Sequence, residues 1–451
     1  MIYADKKIIV CGMARSGIAA AKLLASIGAD VTLQDIKPME ALIKLHDIEG
    51  YKKSGIKIYA GSNPDNIITD FDYAVLSPGV PCDLPFIQKA RDAGVKVISE
   101  VELAYTLTAC PVCAITGTNG KTTTTTLAGL LLEKKYKNTA VVGNIGIAYS
   151  EKVPSLKSGD YVCAEISSFQ LETSDTFKPH ISAVLNITPD HLNRHKTMKN
   201  YIAVKEKIFA NQTKDDFTIL NKKDDICRKM AAKTNGRVFF FSSSEILDEG
   251  ICLEGDNIHI NWDNFDEILI NVNELKILGV HNYENAMAAA ACAVCAGVPL
   301  DDIREVLKNF NGVEHRIEYC GTYNGVDYYN DSKGTNPDAS IRAVLAMKKP
   351  IVLIGGGYDK GSDYDEWVEL FDGRVKKLIL IGVTAQKIAE CCQKHGFRDY
   401  EFAGDFKECI NKCKNVAEEG DCILLSPACA SWGMFEDYEQ RGRIFKELIR
   451  A

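Results

Sequence analysis

Residues 117–126 read Gly-Thr-Asn-Gly-Lys-Thr-Thr-Thr-Thr-Thr and follow directly on the apolar run Val112-Cys113-Ala114-Ile115. A strand that enters a glycine turn, with a lysine and hydroxyls opening a helix, has the chemistry of a triphosphate cradle. Backbone N–H groups of the turn and the positive helix end face the phosphates, the lysine neutralises their outer charge, and a hydroxyl holds Mg²⁺. The expected ATP contacts here are Gly117, Thr118, Asn119, Gly120, Lys121, Thr122 and Thr123. The glycine of the usual spacing is replaced by Ile115, so the loop is a shortened variant.

Other polar groups sit at the ends of apolar runs. Glu165 closes the run 161–166, where a carboxylate can ligate Mg²⁺. Asn186, Asp190 and His191 fall within six residues after the run 181–186. On the helical pattern 201–209, Lys205 shares a face with Tyr201, Ile202, Ile208 and Phe209, whereas Lys207 falls beside Glu206. A lysine on such a face must snorkel, pair, lose its charge or be modified. Asn282 and Asn285 open an alanine-rich helix, and their amides could read an adenine edge while Asn282 caps the helix. Further on, the loops 330–337, 355–361 and 426–431 contribute Asp331, Lys333, Thr335, Lys360 and Ser426, a set suited to an anionic substrate.

These loops require a scaffold of parallel strands. Short apolar runs alternate with helical patterns along three blocks, residues 1–99, 100–311 and 312–451, and predict an α/β protein of three domains. In the first block Lys7–Cys11, Asp30–Gln34, Ile56–Ala60, Tyr73–Leu76 and Val95–Ile98 read as strands. The turn Gly12-Met13-Ala14-Arg15-Ser16-Gly17 is a G-x-G-x-x-G with alanine at the middle glycine, and Asp35 stands where a ribose-binding acid is expected. In the third block the runs 351–354, 377–381 and 421–425 are strands.

Composition narrows the function classes. The chain has 451 residues, 46% hydrophobic and 25% charged, with net charge −8 and pI near 5.6. That charge argues against a nucleic-acid partner. No stretch reads as a membrane span, and the first residues run straight into a strand pattern without a signal peptide. The sixteen cysteines are scattered through apolar runs and are expected to be free thiols in a reducing cytoplasm. Cys429, in a polar loop, is the one to watch.

Taken in order, Gly117–Thr122, Glu165–Gln170, Asn186–His191, His281–Asn285, His315-Arg316 and Asn330–Asn336 resemble the motifs of the Mur ligases of peptidoglycan synthesis, and the resemblance spans nearly the whole chain. It implies a Rossmann-like N-terminal domain for a UDP-sugar, a central P-loop ATPase-like domain and a Rossmann-like C-terminal domain. Within the family, Leu425–Ser431 with Phe435 and Glu439–Gly442 point to the member that joins D-glutamate to UDP-N-acetylmuramoyl-L-alanine. By the same resemblance Lys121 would stabilise the transferring phosphate, and Thr122, Glu165 and His191 would hold two magnesium ions. Lys205 would be carbamylated and serve as a further magnesium ligand. Asn282, Asn285, Arg316 and Asp331 would complete the ATP site. Arg15, Ser16, Asp35, Ser77, Gly79, Asn144 and Gln170 would contact the UDP-sugar, and Lys333, Thr335, Lys360 and Ser426 the D-glutamate.

A cytoplasmic monomer acting on small molecules is the expectation. Ala14, Ile36 and Lys37 depart from the family pattern and bear on the uracil and diphosphate contacts. The alternatives are a sibling ligase for another amino acid, a folylpolyglutamate synthase, and an NAD(H)-binding redox or regulatory protein that uses the Gly12–Gly17 turn. The first-block strand pattern disfavours the folylpolyglutamate synthase.

Overall fold

The computed structural model describes residues 2–450 and contains three sheets, one within each block read from the sequence. Strands β1 (Lys7–Cys11), β2 (Asp30–Asp35), β3 (Lys57–Ala60), β4 (Tyr73–Leu76) and β5 (Lys96–Ser99) form a parallel sheet in the order β3-β2-β1-β4-β5. The interior residues of β1 and β2 are buried on both faces, as helix-covered parallel strands must be. The expected strands are present to within one residue at each end.

The second sheet comprises β6 (Val112–Thr116), β7 (Thr139–Gly143), β8 (Tyr161–Glu165), β9 (Ile181–Val184), β10 (Phe217–Asn221), β11 (Arg237–Ser242), β12 (Gly250–Glu254), β13 (Asn257–Trp262) and β14 (Phe265–Asn271). Their order is β14-β13-β12-β11-β10-β9-β6-β8-β7. Sequence reading recovered β6, β8 and β9 but not β7 or the run from β10 to β14. At the far end of the sheet β13 alternates buried and half-buried residues and offers no continuous apolar signal, whereas β10 and β11 carry short, mostly buried apolar runs that the sequence reading missed.

The third sheet comprises β15 (Glu318–Tyr323), β16 (Val326–Asn330), β17 (Ile351–Gly355), β18 (Val375–Leu380), β19 (Tyr400–Phe402) and β20 (Cys422–Leu425), in the order β15-β16-β20-β17-β18-β19. Only β15 runs antiparallel to its neighbour.

Strand order decides where ligands can sit. β1 lies between β2 and β4, β6 between β9 and β8, and β20 between β16 and β17. Where the chain leaves such a central strand, neighbouring connections part to opposite sides and open a crevice at the carboxyl ends. The glycine turns 12–17 and 117–122 and the loop 426–431 all leave these central strands.

Compactness divides the chain into Met1–Ile270 with Glu284–Val306, and Asn271–Tyr283 with Leu307–Ala451. We propose the domain limits 1–99, 100–311 and 312–451, each enclosing one sheet. All sixteen cysteines are free, and Cys429 is buried with its thiol against Tyr364 Oη (3.1 Å) and Thr384 Oγ1 (3.3 Å), so it belongs to the core.

Two local expectations are corrected. The helix read as 201–209 is Met198–Glu206, so Ile208 and Phe209 lie in the turns beyond it, although both are buried. Asn282 is not the cap of the alanine-rich helix. That helix starts at Val280, and the Asn282 amide instead donates to Leu278 O at 2.8 Å.

In the first unit the segment 172–177 is held by a buried acid on helix Glu100–Thr106. Glu102 is 2% exposed and accepts from the backbone N–H groups of Asp175, Thr176 and Phe177 and from Thr176 Oγ1. Hydrogen bonds to a charged acceptor contribute about 1.5–3 kcal/mol each. Glu102→Gln is therefore expected to destabilise this segment by about 2 kcal/mol. Hydrogen exchange should register the change as lost protection at the amides of residues 175–177, with the β1 and β6 amides unaffected.

Candidate active site

The turn after β6 is built by its glycines. Gly117 has φ +152° and Gly120, the N-cap of helix Lys121–Glu133, has φ +84°. A Cβ at Gly120 would stand 2.2 Å from Asn285 Oδ1, and one at Gly117 would stand 3.0 Å from Leu185 Cβ. Only glycine supplies both the left-handed backbone and the close approach. The turn is clasped by Asn186, whose Oδ1 accepts from Asn119 N (2.8 Å) while its amide donates to Asn119 O (3.1 Å). Thr118 Oγ1 is within 3.1 Å of both Thr188 O and Tyr201 Oη. Lys121 Nζ folds back to the carbonyls of Gly117 (2.9 Å) and Thr118 (2.8 Å), placing a cation over the loop.

Beneath the loop lies Lys205, 1% exposed. Its Nζ donates to Thr116 Oγ1 (3.1 Å) and Gly117 O (2.9 Å) and stands 4.9 Å from the Tyr201 ring centre. Burial, reinforced by the Lys121 charge, pulls its pKa down to about 7, so a large share of the amine is neutral near neutral pH. Lys207 instead donates to the carbonyls of Glu172 and Ser174.

Glu165 ends β8 and is 1% exposed. Its Oε1 accepts from the Asn144 amide at 2.7 Å, and its Oε2 is buried without a hydrogen-bond partner. A buried carboxylate oxygen left unpaired is costly unless a cation completes it. The oxygen donors of this region, Glu165 and the Thr122 hydroxyl, fit a hard ion such as Mg²⁺. His191 has φ +52°, with its ring 4.8 Å from that of Phe169 and Nε2 3.4 Å from Asp190 Oδ2. Asn285 accepts from Thr124 Oγ1 at 3.2 Å. Thr123 is buried in the first turn of the helix that Lys121 opens.

The turn after β1 follows the same logic. A Cβ at Gly17 would stand 1.9 Å from Gly12 O, which explains that glycine, whereas Ala14 is exposed at the N-cap. Asp35 Oδ2 accepts from Met13 N (2.9 Å), and Ser77 Oγ donates to Gly12 O (3.0 Å). Arg15 reaches Gly146 O at 2.5 Å, close in sequence to Asn144. Ser16 is half-buried in the first turn of helix Arg15–Ser26, and Gly79 is exposed on the loop after β4. Gln170 Oε1 accepts from Ser167 N in a capping box.

Sequence reasoning missed the ion pair that fixes this region. Arg194 makes a forked contact with Glu172 (2.6–3.1 Å), donates to Pro78 O and Val80 O at 3.0 Å, and lies 4.3 Å from the Phe169 ring centre. Beside it, His195 is buried against Ser168 Oγ (2.9 Å), and burial lowers its pKa. Neither stands in a glycine turn or at a strand end, so nothing local marks them.

The second unit carries its own cluster. Asp331 is buried, accepts from Ser426 Oγ (2.7 Å) and Ile317 N (3.2 Å), and burial raises its pKa to about 7. Ser426 is fully buried and also bonds Ser340 Oγ. Arg316 follows His315, whose ring is buried beside Asn330. Lys333 Nζ lies 4.9 Å from the Tyr438 ring centre, and Lys360 Nζ 4.9 Å from that of Trp432. Thr335 is half-buried on the same loop as Lys333. The loops are locked by Arg441, 2% exposed, whose guanidinium donates to Ser332 Oγ, Ser332 O and Cys429 O. Burial pulls even this group down to about 10.

The chain matches three family models: a MurD-like N-terminal domain of Mur ligases over residues 6–99, the Mur ligase middle domain over 115–293, and the Mur ligase glutamate ligase domain over 315–429. It is 46% identical to the UDP-N-acetylmuramoylalanine–D-glutamate ligase of Lachnoclostridium phytofermentans, covering 100% of this chain and 99% of that one. It is 48% identical to the ligase of the same name from Lachnospira eligens, covering 99% and 98%. Among solved structures, the UDP-N-acetylmuramate–alanine ligase of Thermotoga maritima shares the fold, with a TM-score of 0.60 at 22% identity and 99% of each chain covered. Three matched domains in sequence and likeness over its whole length make this chain a member of the Mur ligase family.

Proposed function

We propose that the chain is an ATP-dependent ligase that joins D-glutamate to UDP-N-acetylmuramoyl-L-alanine in cytoplasmic peptidoglycan precursor synthesis, acting as a monomer. The observation that carries this reading is the full-length likeness, at 46–48% identity, to relatives named for that reaction. The phosphate loop and the unpaired Glu165 oxygen agree with it.

An amide does not form from a carboxylate and an ammonium without activation. In the proposed course the alanyl carboxylate of the UDP-sugar attacks the γ-phosphorus of ATP, ADP leaves, and an acyl phosphate results. The free amine of D-glutamate then attacks the acyl carbon, the tetrahedral intermediate expels phosphate, and the ammonium proton passes to a base, a role open to His191 only where it does not hold the ion. Lys121 and Arg316 neutralise the phosphoryl oxygens, so the chain contributes mainly positioning and electrostatics. Thr122, Glu165, His191 and a carbamylated Lys205 would hold Mg²⁺, which would supply further charge neutralisation.

Asn282 and Asn285 are assigned to adenine, Asp331 to the ATP ribose, and Gly117–Thr123 to the phosphates. Arg15, Ser16, Asp35, Ser77, Gly79, Asn144 and Gln170 are assigned to the UDP-sugar, and Lys333, Thr335, Lys360 and Ser426 to D-glutamate. The state of Lys205 supports the carbamate. Only a neutral amine adds to CO₂, releasing a proton, and the product exchanges a costly buried cation for an anion facing Lys121.

Phosphate release with UDP-N-acetylmuramoyl-L-alanine and a panel of D- and L-amino acids tests the reading, with D-glutamate expected to give the highest kcat/KM. Preference for another amino acid would reassign the member.

Lys121→Ala should lower kcat by about 10²–10³-fold while the circular dichroism spectrum is retained. Near-normal activity would remove the phosphate-loop role.

For Lys205, the ¹³C carbamate resonance from labelled bicarbonate should grow as pH rises through about 7, where the amine loses its proton, and fade below it. Lys205→Ala should lack the resonance and be inactive, with partial rescue by acetate. An active Lys205→Ala, or an inactive Lys207→Ala in its place, contradicts the assignment.

Losing a charge-assisted contact to a carboxylate costs about 1.5–3 kcal/mol. Lys360→Ala should therefore raise the KM for D-glutamate at least about tenfold, leave the KM for ATP nearly unchanged, and D-glutamine should be a poor substrate for the parent enzyme.

A further inference from the structure

Away from the loops assigned above, helix Asp365–Glu369 packs against helix Ala385–Lys394. Cys391 and His395, four residues apart, lie on one face of the second helix and its C-cap, and both point at Asp365. His395 Nε2 is 2.6 Å from Asp365 Oδ1, and Cys391 Sγ is 3.3 Å from the same oxygen. Thiol, imidazole and carboxylate ligand atoms all lie within 4.8 Å of one another. On the far side of the imidazole, Glu369 Oε1 stands 3.7 Å from Nδ1. Lys394 Nζ also contacts Asp365, at 2.8 and 2.9 Å, from a largely exposed position.

We propose that Asp365, Cys391 and His395 form a structural zinc site. Ligand atoms around tetrahedral Zn²⁺ stand roughly 3.3–3.6 Å apart for bonds of about 2.0–2.3 Å. The three groups already approach that spacing, and the Asp365–His395 contact needs to open by less than about 1 Å. The donor set of one thiolate, one imidazole and one carboxylate suits a borderline-soft ion and not Mg²⁺ or Ca²⁺. Water or Glu369 completes the shell. Glu369, 3.7 Å from Nδ1 in its present position, would instead accept the Nδ1 proton on closing by about half an ångström, the arrangement that fixes a ligating histidine in the correct tautomer.

Binding is balanced in protons and charge. The ion replaces the Cys391 thiol proton, which is released to solvent, and the imidazole proton moves from Nε2 to Nδ1. Two positive charges then meet one thiolate and one carboxylate. Lys394, no longer needed by Asp365, returns to water. Burial and the Asp365 charge push the free thiol up to about 12, so loading weakens as pH falls.

The ion would tie two helices that otherwise meet through side chains alone. The second helix leads back to Thr384, which accepts from Gly357 N at 2.9 Å, and carries Lys387, paired with Asp359 at 3.3 Å. The site therefore braces the loop 356–361 from behind.

The test uses the full chain, stripped with a chelator and titrated with Co²⁺ and then Zn²⁺. We expect one ion per chain, a thiolate-to-cobalt charge-transfer band that Zn²⁺ abolishes and excess Mg²⁺ does not, and a Zn²⁺-dependent rise in melting temperature. Cys391→Ser and His395→Gln should each weaken binding at least tenfold and lose the band. Zinc should also protect Cys391 of the parent protein from alkylation, which keeps the test valid should a variant misfold. No charge-transfer band, unchanged binding by Cys391→Ser, or no protection of Cys391 would each overturn the site.

Discussion

The glycine turn that follows β6, clasped by one asparagine, is the constraint on which its surroundings depend. β6 lies between β9 and β8, so the chain leaves a central strand of the sheet. Gly117 and Gly120 then turn the backbone through conformations closed to other residues, while Leu185 and Asn285 pack where Cβ atoms would be. Asn186 pairs with both backbone groups of Asn119 and so helps to set the shape of the turn.

Beneath this loop the structure tolerates an unusual charge arrangement. Lys205 and Lys121 share the carbonyl of Gly117, one from below and one from above. Two ammonium groups cannot both stay charged so close together in a dry site, and the buried one gives way. Nearby, one oxygen of Glu165 is buried with no donor. An unsatisfied buried carboxylate is costly to leave as it is, whereas the Lys205 amine already has two acceptors. A divalent cation would relieve the carboxylate, and a neutral amine is the form that a carbamate requires.

The supporting contacts share a pattern. Glu102, Arg194 and Arg441 are charged groups withdrawn from water and matched to several partners each. Such groups contribute little net stability compared with apolar packing, but they define which backbone segments meet. Arg194 joins the loop after β4 to the segment after β8, and Arg441 joins the two loops after β16 and β20. Loss of either would leave its own partner carbonyls or carboxylate unpaired.

The strands of the first sheet, the glycine turns 12–17 and 117–122, the buried face of Lys205 and the polar loops of the third block were legible in the sequence. Each rests on a local rule: apolar periodicity, glycine in turns, or polar residues at strand ends. The order of the motifs along the chain was enough to name the family. The strands from β10 to β14, the partner of Arg194, the burial of Ser426 and Asp331, and the convergence of Cys391 and His395 on Asp365 came only with the tertiary structure. Most of these depend on segments distant in the chain, and β13 and β14 on a mixed burial pattern, while the apolar runs of β10 and β11 were present in the sequence and were missed. A side chain's type states what it can bond, but burial and the partners brought to it decide its charge and reactivity, and those are properties of the packed molecule.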